Sequence, residues 1–145
     1  MKNIIVLALL LALCVPSLAQ NANITEMPDM IGNWTGVMDS VGWEKNTAWM
    51  PNETVSYWPD GEEILTITEQ NGNTFSGKIA PTQSPRSVEV VLGAMGSDNA
   101  TINMVDENGI YWGDMISPTK MELFYQEVEI DEMVISVGIF EKMLT

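Results

Sequence analysis

The sequence contains no histidine, and its one cysteine, Cys14, falls inside an apolar run close to the start. These absences remove Ser-His and Cys-His nucleophilic catalysis, haem ligation by histidine and thiolate zinc sites, since each needs an imidazole or a thiolate. Basic residues are also scarce: six Lys and Arg stand against 20 Asp and Glu, a formal charge of −14. Such a chain is repelled by phosphate backbones and anionic membrane surfaces, so no nucleic-acid partner is expected. The acids are interspersed with apolar residues rather than run together, which marks a solvated acidic surface and not a disordered tail. Beyond the leader, no stretch shows a 3.6-residue apolar period with caps, and none approaches the roughly 20 apolar residues that span a bilayer as a helix.

What is present begins with Lys2, an apolar run from Ile4 to Val15, Pro16, and then Ser17-Leu18-Ala19 with small residues at the −3 and −1 sites of a cleavage point. This is the pattern of a secretory signal peptide, cut after Ala19, so residues 1–19 are expected to be removed and the protein to be secreted or extracytoplasmic, without membrane insertion. Leu13 stands where a lipobox before Cys14 needs Gly or Ala, which argues against a lipid anchor. The remainder keeps 20 acids against Lys45, Lys78, Arg86, Lys120 and Lys142, has no disulfide, and is long enough for one domain held by its own core. Asn23, Asn33, Asn52 and Asn99 each head an Asn-x-Ser/Thr sequon, so glycosylation is expected at these four if the host modifies exported chains. Turn and strand preference accounts for them equally well.

Period-two alternation organises the rest. Ile64, Thr66 and Thr68 alternate with Leu65, Ile67 and Glu69 before Asn71-Gly72, and Thr74 to Ala80 runs back, which predicts a hairpin with a type I′ turn at Asn71-Gly72. Similar alternation predicts eight strands, near 31–39, 62–70, 74–80, 87–95, 100–106, 110–117, 120–128 and 132–142. Short hairpin connections make a meander, and eight such strands close into an all-β, antiparallel up-and-down barrel over 31–145. A two-sheet sandwich is the competitor, disfavoured because the later connections are too short for Greek-key crossovers. Residues 20–30 read as an extended leader, and 40–61 as a long loop holding Trp43, Trp49, Tyr57 and Trp58.

Carboxylate chemistry is what the composition leaves open. Glu62 with Glu63, and Asp106 with Glu107, are the available pairs. Adjacent acids in a strand point to opposite faces and turn acids are solvated, so no enzyme is expected. Asp98-Asn99 and Asp106-Glu107-Asn108 are oxygen-rich enough for Ca²⁺ but read more simply as turns. Met27-Pro28-Asp29-Met30 has the look of a soft copper site without a histidine partner, and the other methionines read as core or pocket lining. No metal and no cofactor are expected.

Gly32-Asn33-Trp34 on the first strand, followed by Ser40, with a second-strand hairpin ending in Phe75-Ser76-Gly77, resembles the Gly-x-Trp opening of the calycin-like barrels, the avidin and lipocalin families, and small exported barrel proteins of archaea. The avidin resemblance places Gly36 at the ureido-binding Asn and Ser40 at its Ser, with Ile79 and Pro81 where a Tyr and a Ser would stand, so most of a biotin cradle is missing. The lipocalin resemblance implies that Trp34 packs at the closed end beneath a basic residue of the last strand, for which Lys142 is the candidate. The expectation is therefore a non-catalytic barrel holding a small apolar or aromatic ligand at one mouth, with Ser40, Trp43, Trp49, Tyr57 and Trp58 as binding residues. The alternative is a structural or surface-association module whose barrel is filled by its own side chains.

Overall fold

A computed structural model of the chain describes residues 24, 26–45, 54–83 and 87–144. Residues 1–19, expected to be a signal peptide, and Asn23, Trp49, Asn52 and Arg86 lie outside the described residues. Eight strands follow in order: β1 Gly32–Glu44, β2 Thr54–Asn71, β3 Thr74–Pro81, β4 Glu89–Met95, β5 Thr101–Val105, β6 Gly109–Ser117, β7 Lys120–Val128 and β8 Glu132–Lys142. Each pairs antiparallel with its neighbour in sequence and β8 returns to β1, so the sheet is a closed up-and-down barrel. Closure removes the exposed strand edges that an open meander would leave.

Two local expectations are corrected. The β2–β3 loop is Gly72-Asn73, flanked by the pair Asn71↔Thr74, and not Asn71-Gly72. Gly72 alone has a left-handed φ of 56°, whereas a type I′ turn needs two such residues; a positive φ at the first central position is the type II′ pattern. The long loop over 40–61 is largely absent, because β1 continues to Glu44 and β2 begins at Thr54. The paired register breaks once: Met38 faces Gly61 and Ser40 faces Trp58, so Pro59 and Asp60 oppose Asp39 alone. This is a β-bulge, in which Pro59 has no ladder hydrogen bond to lose and Asp60, at φ 59°, donates its N–H to Asp39 Oδ1.

Alternate residues of every strand fill the barrel. Trp34, Met38, Leu65, Ile67, Phe75, Ile79, Val91, Met95, Ile102, Met104, Met115, Met121, Leu123 and Phe140 are buried inside it. Two inward glycines make room for rings: a Cβ on Gly36 would stand 2.6 Å from the Phe140 ring, and one on Gly42 would stand 2.5 Å from that of Trp58. The end carrying the β2–β3, β4–β5 and β6–β7 turns is plugged by the segment before β1, with Met30 fully buried and Ile24 and Met27 packed on the core. Gln70 fastens this plug by accepting from the Met30 N–H at 2.7 Å and donating to the Pro28 carbonyl at 3.0 Å. Trp34 Nε1 donates to the Met30 carbonyl, and Lys142 lies 5.6 Å above the Trp34 ring while reaching Asp29. Trp34 and Lys142 thus have structural roles at the closed end.

Candidate functional site: the acidic mouth of the barrel

The other end is built differently. Above the apolar layers, the inward side chains form a row traced by the strand register: Tyr111 faces Tyr125, Tyr125 faces Ser136, Ser136 faces Ser40, and Ser40 faces Trp58. The two tyrosine rings are 4.5 Å apart and tilted by 39°. Ser40 and Ser136 share a hydrogen bond of 2.7 Å, which gives the buried Ser136 hydroxyl its partner. Trp58 lies over Gly42 with 43 % of its surface still exposed.

Four carboxyl groups surround this row. Glu63 continues the inward phase of Leu65 and Ile67, Glu89 that of Val91, Asp106 that of Ile102 and Met104, and Glu127 that of Leu123 and Tyr125. Strand direction alternates around the barrel, so all four reach the same end although two precede their strand's core residues and two follow them. Tyr125 donates to Glu127 Oε2 at 2.9 Å, and Asn108 Nδ2 donates to Glu89 Oε1 at 3.0 Å. Asp106 Oδ1 accepts from the N–H groups of Asn108 and Gly109 and so closes the β5–β6 turn. By contrast, Glu63 Oε2 and Asp106 Oδ2 are buried with no hydrogen-bond partner.

A buried anionic oxygen without a donor is costly, and protonation is the alternative to a partner. Burial, helped by the nearby Glu89 and Asp106 charges, pushes Glu63 up to about 7. Glu89 is likewise raised to about 7, by burial first and then by Asp106, against the opposing effect of the Asn108 bond. Burial and the same acids hold the Tyr111 and Tyr125 hydroxyls far above the ordinary phenol range, so both remain donors at any physiological pH. The ion pairs among the described residues leave these four acids out, joining Lys45 to Asp131 at the rim of the mouth, and Lys120 to Glu141 and Lys142 to Asp29 toward the closed end. The mouth therefore brings together aromatic rings, hydroxyl donors and two carboxyls whose ionisation is shifted to near neutrality.

The residues expected at this site divide. Ser40 and Trp58 stand on the inward row. Trp43 and Tyr57 are in the opposite phase, on the outer surface, where Tyr57 is 76 % exposed. Trp49 lies outside the described residues. Glu62 points outward and accepts from Thr82, so the strand parity expected for the adjacent acids holds. Glu89, Tyr111, Tyr125 and Glu127 were not expected at a site, although each extends the inward phase of its own strand. At the other end, Asp98 accepts from Ala100 N, Thr101 N and Thr101 Oγ1, bonds that lower its carboxyl to about 2 and commit it to the β4–β5 turn.

No family model matches the chain, and no curated protein matches it. Among solved structures, it is similar to an S-type phycobiliprotein lyase, CPES, from Guillardia theta, with 8 % identity over 80 % of this chain and 89 % of that one, at a TM-score of 0.33.

Proposed function

We propose that this is an exported, non-catalytic barrel that binds a small organic cation with an aromatic or apolar body at the acidic mouth. The carrying observation is the convergence of Glu63, Glu89, Asp106 and Glu127 on a row of inward tyrosines, with two buried carboxylate oxygens that lack donors. An ammonium group supplies those donors, and the rings of Tyr111, Tyr125 and Trp58 offer it π faces and its body a stacking surface. The expected apolar or aromatic ligand thereby gains a charged head. Export rests on the leader and carries the sequon modifications with it.

Phenethylamine and its uncharged counterpart 2-phenylethanol separate charge recognition from simple apolar binding. Titrated by intrinsic tryptophan fluorescence at pH 8, the amine is expected to bind at least 10-fold more tightly, and Glu63→Gln with Glu89→Gln to remove that difference. Affinity for the amine rises as pH passes through 7, since both carboxyls must ionise to hold it. Equal binding of the two probes, or binding of neither by a folded protein, refutes the reading. The second result would favour the structural module, which the filling of the lower barrel by Trp34, Phe140, Met121 and their neighbours supports. A carboxyl titrating near neutrality is also what general acid catalysis uses, and that reading would require a turnover abolished by Glu63→Gln.

A further inference from the structure

The outer surface of the barrel is not uniformly polar. Across β2, β1, β8 and β7 the register aligns Tyr57, Val41, Ile135 and Gln126 in one outward row, and Asp39, Val137 and Phe124 in the next. Val55, Trp43, Met133 and Val128 form a third row nearer the mouth. Asp39 and, in the β2 bulge opposite it, Asp60 are the two acids in these three rows, in a chain with 20. Glu62, Glu122 and Glu141 begin only below them, toward the closed end. Charge depletion with Tyr, Trp, Phe and Met retained is the composition of an interface core, and past β7 the first row continues through the exposed Ile110, Val105 and Leu92 of β6, β5 and β4.

Size supports the same conclusion. Tyr57, Val55, Val128, Met133, Ile135 and Val137 are between 38 % and 76 % exposed. With their half-buried neighbours they present a continuous, largely apolar surface, on the scale of the roughly 800 Å² that one side of a standard protein interface buries. Ile135 is shared by two shallow grooves of about 390 and 330 Å³, and the ring of Tyr57 borders the second. A protruding ring beside a groove on the same patch is what a two-fold contact needs, since each copy then offers both knob and recess. The charge pattern speaks against a basic partner, which would call for acids within the patch. The sequons Asn33 and Asn99 lie at the closed end, away from these rows.

We propose that the β2–β1–β8–β7 face is the contact between two copies of this chain, forming a two-fold dimer centred on Ile135. The mouths are not part of the contact, so both sites stay open. The test is sedimentation velocity on the protein purified after expression of the full sequence, from about 0.1 to 100 µM. A dimer is expected, with a midpoint that does not weaken from 0.1 to 1 M NaCl, because the rims are acidic and screening relieves their repulsion. Ile135→Asp is expected to halve the mass and weaken association at least 30-fold. Tyr57→Ser, at a more exposed position, provides the same reading should Ile135→Asp fail to fold. Lys78→Thr, on the outer face of β3, leaves the dimer intact. A monomer at 100 µM, a dimer indifferent to both Ile135→Asp and Tyr57→Ser, or a monomer that instead floats with neutral phosphatidylcholine vesicles overturns the proposal.

Discussion

Replacing Glu63 by Gln makes the most direct test of the acidic mouth, because it removes the ionisable proton while keeping the shape of the side chain. In the folded protein this carboxyl is raised to about 7 from an ordinary 4.5, so the folded state holds its proton after the unfolded chain has released it. Below about 4.5 both states are protonated and the group costs nothing. As pH rises toward 7 the unfolded chain binds fewer protons than the folded one, so stability falls, and above 7 the penalty is complete at roughly 3 kcal/mol. The neutral amide introduced by Glu63→Gln carries no such penalty. The accessible window begins near pH 5, since the chain has an isoelectric point near 4.1. There the variant is expected to gain less than about 1 kcal/mol, and at pH 8.5 about 3 kcal/mol, or roughly 10 °C in thermal midpoint for a domain of this size. Circular-dichroism melts of both proteins from pH 5 to 8.5 read the difference directly. A gap between the curves that stays constant with pH, or no gap at pH 8.5, would refute the claim that Glu63 is buried without a partner.

Two further outcomes concern the scaffold. Met30→Ala empties a fully buried position in the plug of the closed end and is expected to cost about 2–5 kcal/mol in urea unfolding; a loss under about 0.5 kcal/mol would show that the segment before β1 is not part of the core. Gly72→Ala meets no atom within 4 Å, so its whole cost comes from holding a side chain at a φ of 56°, about 1–2 kcal/mol, and an unchanged urea midpoint would contradict the turn geometry.

Strand phase was legible in the sequence wherever alternation ran unbroken. From Thr74 onward the eight-strand reading and the structure agree to within about two residues at each boundary, because hairpins with short turns carry their own register. The phase was lost between Ser40 and Gly61 for a specific reason. The bulge at Pro59-Asp60 puts Trp58 and Gly61 on the same side although they are three residues apart, so no single period spans the segment, and Pro59 with Gly61 looks like loop punctuation. That slip sends Tyr57 to the outer face and Trp58 inside, whereas on β1, which pairs with β8 without a break, Ser40 keeps the inward phase of Trp34 and Met38 and Trp43 falls on the outer face. The plug was missed because Met27 to Met30 has no period, only a place to go once the barrel end exists.

By itself, the sequence determined an acidic, histidine-free chain whose strands alternate and follow one another through short turns, and hence an antiparallel meander able to close. Local patterns suffice for this, since pairing between neighbours needs only their own residues and the turn between them. Tertiary structure alone decided that Glu63, Glu89, Asp106 and Glu127, spread over four strands, meet at one end of the barrel. A carboxyl's burial and its distance to another are set by closure of the sheet, in which strands far apart in sequence share one interior, and no local pattern encodes that meeting.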